Sequence, residues 1–306
     1  MAVSIMASYD QVGRKEDISD VITTISPTKT PFQSMIGSES IHNIVKQWQE
    51  DSLNAVAANA QVEGANAISA VQNATVMRSN TTQIFMKTAS VTGTADTVET
   101  YGRDRELAYQ LSLRSAEIKR DLENAYVGVN QAAVTGSDGV ARSMASALNM
   151  IASANTYFMG AGTPLGGNSG TPAALSETAV LAVSQQLYVQ GADPDTILVK
   201  PGDSLTVANF QTNSRTRFVE NGTKDVVNVV NFYESPFGRL KVVMDRFILP
   251  TSALVFEASM WKKLVLRNWF RETLAKVGDS TQVMIVGEMS LRHKNFQASG
   301  AITNLV

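Results

Sequence analysis

The sequence contains no cysteine. Disulfides and thiolate metal sites are therefore excluded, and the chain suits a reducing compartment such as the cytoplasm. Histidine is nearly absent as well. Only His42 and His293 occur, far apart and in no metal-binding spacing, so each reads as an ordinary surface or strand side chain. No run approaches the roughly 20 apolar positions that a membrane-spanning helix needs, and no membrane contact is expected. The first ten residues lack a basic stretch followed by an apolar one, so no signal peptide is expected. Charge is sparse too, at 18% of residues against roughly 25% in typical domains. Lys and Arg total 26 against 28 for Asp and Glu, a formal net charge of −2. A protein that coats nucleic acid by neutralising phosphates carries a basic excess, which is missing here.

The motifs of common chemistry are also missing. There is no Gly-x-Ser-x-Gly elbow, no phosphate loop ending in Gly-Lys-Ser/Thr and no His-Glu-x-x-His. The glycines Gly160, Gly162, Gly166 and Gly167 resemble a dinucleotide loop, but Pro164 interrupts them, and they read as a flexible connector. Asp193 and Asp195 flank Pro194 and read as loop solvation. One basic cluster, Lys262, Lys263, Arg267 and Arg271, is interleaved with Trp261, Trp269 and Phe270. Such a set can bind single-stranded nucleic acid, or it can be an ordinary half-buried strand with Leu264, Leu266 and Phe270 inward. The strand is the preferred reading. No catalytic, cofactor-binding or metal-binding residue is assigned, no cofactor is expected, and the chain reads as something other than an enzyme.

What is present is a succession of helical and β-type stretches without internal repeat, an α+β pattern. Its 306 residues allow one large domain or two. The start reads as an arm, because Ser26-Pro27 and Thr30-Pro31 interrupt any helix and leave a short one over 17–25. In 44–50 neither strand face is apolar, which suits an exposed hairpin better than a core strand. Residues 54–73 form an Ala- and Asn-rich loop, and β-branched residues return over 75–98. Over 103–129, Leu107, Leu111, Ile118, Leu122, Tyr126 and Val129 recur at helical spacing. That predicts a helix about 40 Å long, with Glu117–Arg120 and Lys119–Glu123 as surface pairs. A Gly-, Ser- and Thr-rich linker is expected over 153–172. Ser176 then caps a helix whose apolar face is Val180, Val183 and Leu187 and which stops at Gly191. Residues 195–200 form a short apolar strand, and Asp203 caps a helix reaching Phe210. Strands are expected at 228–232 and 239–245 around a turn, then at 252–257, 264–270, 281–287 and 288–295. Gly278-Asp279 reads as a tight turn with Gly278 at positive φ.

An ordered set of residues carries a family resemblance. Near the start stand Glu16-Asp17-Ile18, Asp20, Ile22, Ser26-Pro27, Thr30-Pro31-Phe32 and Trp48 to Leu53. In the last third stand Phe237-Gly238, Val242-Val243, Arg246 and Pro250. Leu274 to Ser280 follow, then Glu288, Leu291, Asn295, Ala298, Gly300, Ile302 and Leu305. The succession resembles the major capsid proteins of tailed bacteriophages, with residues 132–178 matching least. The resemblance implies the Hong Kong 97-like capsid fold. Residues 1–41 would be an N-terminal arm and 42–94 an extended β-hairpin. Residues 95–135 would hold the spine helix and the first part of a peripheral domain, 136–244 an axial domain, and 245–306 the return of the peripheral domain. It implies a self-assembling icosahedral head shell of hexamers and pentamers in the virion, assembled in the host cytoplasm. Portal, scaffold or cement proteins would be partners, with at most non-specific contact with packaged DNA. An encapsulin-type nanocompartment shell of the same fold is the alternative, and an enzyme with an unrecognised site is a further one. With no cysteine and no legible Lys, Asn and carboxylate trio, a noncovalent shell is expected.

Overall fold

The computed structural model describes residues 26–66, 72–102, 105–162, 164–167, 169–210 and 232–306. The expected helix over 17–25 lies outside them, as does most of the strand expected at 228–232. The described chain begins with an extended stretch and a five-residue helix, α1 (Pro31–Met35). Pro31 sits in its first turn, where a missing N–H costs nothing. The Thr30-Pro31 step therefore starts a helix where an interruption was expected. Phe32 is fully buried, edge-on to the rings of Phe256 at 5.4 Å and Trp261 at 5.8 Å.

Two main sheets follow. The first contains β1 (Gly37–Ser40), β4 (Gln83–Thr92), β10 (Trp261–Thr273) and β11 (Ser280–His293), in the order β1-β10-β11-β4. β11 runs unbroken where two strands, 281–287 and 288–295, were expected. β10 carries register shifts between Val265 and Arg267 and between Arg267 and Phe270, which breaks the simple alternation assumed for 264–270. The second sheet has the order β5-β12-β9-β6-β8-β7. Its strands are β5 (Thr156–Phe158), β6 (Thr196–Val199), β7 (Phe232–Ser235), β8 (Gly238–Met244), β9 (Ser252–Phe256) and β12 (Gly300–Thr303). A separate two-stranded ladder joins β2 (Val45–Glu50) to β3 (Val76–Thr81). Residues 83–92, expected as the returning limb of the hairpin, instead lie inside the first sheet as β4, paired with β11. The stretch 245–306 supplies strands to both main sheets.

The central strands of the six-stranded sheet, β12, β9 and β6, are buried on both faces. Ile197, Val199, Ala253, Val255 and Ile302 face a core built with helix α4 (Glu177–Val189) and α5 (Pro201–Phe210). Their neighbours Leu198, Leu254, Phe256 and Ala301 face a second core that holds Phe32, Leu122, Tyr126 and Trp261. The period-two alternation of a strand thus serves two cores at once. α4 begins as expected: Ser176 Oγ accepts the Ala179 N–H at 3.2 Å. α5 begins two residues before its expected cap, at Pro201, so Asp203 lies inside the first turn, 3.7 Å from Lys200.

A short helix, α2 (Gly93–Thr97), precedes α3 (Glu106–Glu123). The 18 α-helical residues of α3 span about 27 Å, shorter than expected, because Asn124–Gly128 widen into a π-turn. Gly128 is required there: a Cβ would stand 2.4 Å from the Phe247 carbonyl. The expected surface pairs do not form. Glu117 meets Arg114 at 2.6 Å and Lys87 at 3.9 Å, while Glu123 is fully buried. The linker over 153–172 is no flexible connector. β5 pairs parallel with β12, and Gly160, at φ +70°, lies so close to Thr171 that a Cβ would clash with its backbone. Gly278 shows no positive φ and has open space around it, so the strained turn expected there is absent. The contact at that loop is instead between Gly93 and Asp279, whose carbonyl accepts the Gly93 N–H at 3.2 Å.

Phe32 is the anchor of the first chain segment, so Phe32→Ala should destabilise the folded subunit by about 3–5 kcal/mol. Denaturant unfolding followed by tryptophan fluorescence measures this. A loss below about 1 kcal/mol would mean that the α1 segment is not held by this core.

Candidate functional site

The β2–β3 ladder is the one pair of strands in the described chain that leaves both main sheets. Beyond it, residues 51–66 are exposed throughout. The apolar side chains in this loop are no exception: Leu53 is 98% exposed and Val62 82%. Such a segment has too little apolar surface of its own to fold upon itself.

Its root is fixed. Trp48, on a strand read as polar on both faces, is buried against Phe296, with ring centroids 6.5 Å apart. Arg78 pairs with Glu50 at 2.9 Å and lies over the Phe296 ring at 4.3 Å. The other Glu50 oxygen accepts the Phe296 N–H at 2.9 Å. Asn80 is fully engaged. Its amide donates to the carbonyls of Leu291 and Ala145, and its oxygen accepts the N–H groups of Ala145 and Thr81. Thr82 donates its hydroxyl to Glu288 at 2.7 Å. Glu288 is buried and also takes Arg142 at 2.7 Å and Arg267 at 3.0 Å. One carboxylate therefore ties the hairpin root, the 130–146 segment and β10 together through charge-assisted hydrogen bonds.

The fold disperses the basic and aromatic cluster only in part. Trp261 is buried, Trp269 meets the edge of Phe85 at 6.4 Å, Arg267 is paired with Glu288, and Lys262 lies along Gly37. Arg271 and Lys119 line a pocket of about 310 Å³ between α3 and the β10–β11 hairpin, with Trp269, Ile118 and Ile285. Asp193 and Asp195 are exposed loop residues. Among the described residues, no three His, Cys, Asp or Glu side chains gather as a metal site would need.

A profile of the SU10 major capsid proteins matches residues 5–306. The chain belongs to the SU10 major capsid protein family. It is similar to the major capsid protein of Escherichia phage Phieco32, at 33% identity, with 98% of this chain and 96% of that relative covered. In three dimensions it resembles the capsid subunit of the native GTA particle, with a TM-score of 0.65 at 10% identity and 98% of each chain covered. The subunit of the holo-SrpI encapsulin complex from Synechococcus elongatus gives 0.59 at 10% identity, covering 96% of this chain and 92% of that one. The fold is the Hong Kong 97-like α+β capsid fold. As a phage major capsid protein the chain builds multimeric shells with copies of itself, and its place is the virion capsid.

The histidines of this capsid protein have separate fates. His42 is exposed, whereas His293 is fully buried and stacked 4.0 Å from Trp261. The Trp261 indole N–H donates to Ser299 Oγ at 3.1 Å, the Ser299 hydroxyl donates to His293 Nε2 at 2.9 Å, and His293 Nδ1 donates to the Met150 carbonyl at 2.9 Å. This chain of donors fixes the neutral tautomer. Burial pushes the imidazole down to about 4. A depressed histidine supports the fold above its ordinary 6.5, and that support drains as pH falls towards about 4.

Glu288, Asn80, Glu123 and His293 were missed as structural centres. Buried carboxylates and amides have no sequence signature apart from their partners, which lie far away along the chain. Asn80→Leu fills the same space but leaves buried groups at Leu291 and Ala145 without partners. Each unpaired group should cost about 1–3 kcal/mol, read as a lower denaturant midpoint. An unchanged midpoint would remove Asn80 from the hairpin root.

Proposed function

We propose that this capsid protein closes an icosahedral head shell of hexamers and pentamers around the phage genome, and that its hairpin lies on a neighbouring copy. The observation that carries the reading is the hairpin beyond Glu50, where Leu53, Val56 and Val62 stand in the open with no described residue covering them. Exposed apolar side chains on an extended segment with a rigid root suit a surface supplied by another subunit. On this reading residues 1–41 act as an arm, 95–135 hold the spine, 136–244 form the axial domain and 245–306 return to the periphery. The hairpin proper ends at Thr82, and β4 belongs to the peripheral sheet. The chain is a structural protein and not an enzyme, assembles in the host cytoplasm, and touches DNA only non-specifically. Portal, scaffold and cement proteins are its further partners. An encapsulin-like nanocompartment shares the fold but lacks the support of the Phieco32 relative, and a cargo protein inside purified shells would favour it.

Limited proteolysis tests the hairpin. Cleavage within 51–66 should come first in unassembled subunits and slow at least tenfold in shells seen by electron microscopy. Equal rates in both states would refute the inter-subunit placement, and a strictly monomeric protein across concentration, salt and pH would refute the shell.

The shell should be noncovalent. Lys46 pairs with Glu39 at 3.1 Å and Lys87 with Asp121 at 2.9 Å within the subunit, so neither hairpin-region lysine points to a weld. Particles boiled in SDS should run as one band near 33.0 kDa. A ladder of higher species would show covalent joining.

A further inference from the structure

We propose that Glu123 and Asp245 share one buried proton, and that this proton latches helix α1 against the end of α3, so that α1 is held in weakly acidic solution and loosens as the proton leaves. Both side chains are fully buried, and among the described residues neither has a cationic partner. Three of their four carboxyl oxygens have a donor. Glu123 Oε1 accepts the Phe32 N–H at 2.7 Å and Oε2 the Gln33 N–H at 3.0 Å, both from the first turn of α1. Asp245 Oδ1 accepts the Phe247 N–H at 2.9 Å. The fourth oxygen, Asp245 Oδ2, is buried with no donor at all. The Glu123 and Asp245 carboxyls lie within hydrogen-bonding reach of one another, so one proton between them supplies the missing hydrogen bond and removes one of two like charges.

The surroundings offer no substitute for that proton. α1 faces the pair with backbone amides and carries no charged side chain. On α3, Lys119 is exposed and meets Gln33 through its carbonyl. Tyr126, in the π-turn, has its hydroxyl on the Ser290 carbonyl at 3.3 Å and is kept neutral by burial and by Glu123. Arg246 is exposed, and Lys200, beyond the Val199 carbonyl that accepts the Asp245 N–H, is held by Pro250, Val306 and Asp203. Burial first, then the charge of Asp245, raises Glu123 to about 7, against a smaller opposing pull from the α1 amides. Burial raises Asp245 as well. Since the latched form binds the proton more tightly than the open form, latching is fully present below about pH 4.5, declines as pH rises to about 7, and is level above it.

Hydrogen exchange by mass spectrometry on the full-length subunit tests this, with rates corrected for the intrinsic effect of pH. Global unfolding would not isolate the pair, because His293 drives stability the opposite way over part of the same range. The peptide covering 31–36 is therefore compared with the β11 peptide 283–291 in each sample. In the wild type, protection of 31–36 relative to β11 should fall by up to about tenfold per pH unit between 5 and 7. Asp245→Asn removes the charge that raises Glu123 and supplies a permanent N–H donor in its place, so the slope should shrink to what burial alone imposes. Glu123→Gln should be flat. A wild-type ratio that does not change with pH overturns the latch, and so does a slope that survives in Glu123→Gln or is undiminished in Asp245→Asn. Should a variant fail to fold, the wild-type series decides alone.

Discussion

Strand β9 has a core on each face, and the arrangement of the subunit follows from it. Leu254 and Phe256 point one way and Ala253 and Val255 the other. A polar side chain at any of these positions would enter one core or the other. The sheet cannot slip by one residue either, because each side chain would then exchange cores. Phe256 meets Phe32, so this strand also fixes where the first described segment docks. α3 and its π-turn close the same core through Leu122 and Tyr126, while α4 closes the opposite one through Val183 and Leu187. Two packed layers are thereby locked to one central sheet, giving the hairpin a rigid platform.

Within that platform several buried polar groups lie where chain segments distant in sequence meet. Glu288 joins β3's exit, the 130–146 segment and β10. Asn80 joins the hairpin root to β11 and to Ala145. His293 joins β11 to Met150 and, through Ser299, to Trp261. Each is satisfied by several partners at once. Buried groups of this kind contribute modestly when paired and cost heavily when unpaired. They therefore discriminate against wrong dockings more than they add to stability. Apolar packing would tolerate several placements of the hairpin root, but the Asn80 bonds tolerate one.

Periodic features were legible in the sequence. The helical face from Leu107 through α3 to Tyr126 in its π-turn, the Ser176 cap, the Ile197 to Val199 strand and the polar hairpin with its long tip each follow from local spacing. The ordered residues of the last third carried the capsid resemblance. Features that depend on distant contacts were not legible. Trp48 reads as one aromatic among polar residues until Phe296 and Arg292 stack against it. Glu123 sits at i+4 from Lys119 and reads as a surface pair, because nothing local says that α1 returns to bury it. The 153–172 stretch has a linker's composition, yet β12 supplies a parallel partner from the far end of the chain. Gly278 failed for a related reason: the sequence marks a turn there, but a loop in open space needs no strained backbone.

The low charge density finds its reason in the same economy. Charges retained inside the subunit, at Glu288 and at the Glu123–Asp245 pair, hold junctions, and some of those on the surface form pairs such as Lys87–Asp121 and Arg114–Glu117. The exposed hairpin loop carries mainly Ala, Asn, Gln and Ser and a few apolar residues, with Asp51 and Glu63 its charged side chains, so covering it desolvates little charge. On the proposed placement, ordering such a loop costs conformational entropy and returns only modest apolar burial, which keeps each contact weak. Weak contacts suit closure of a shell. A misplaced subunit can leave, whereas a correctly placed one is held at many points at once, and the sum over those points far exceeds any one of them.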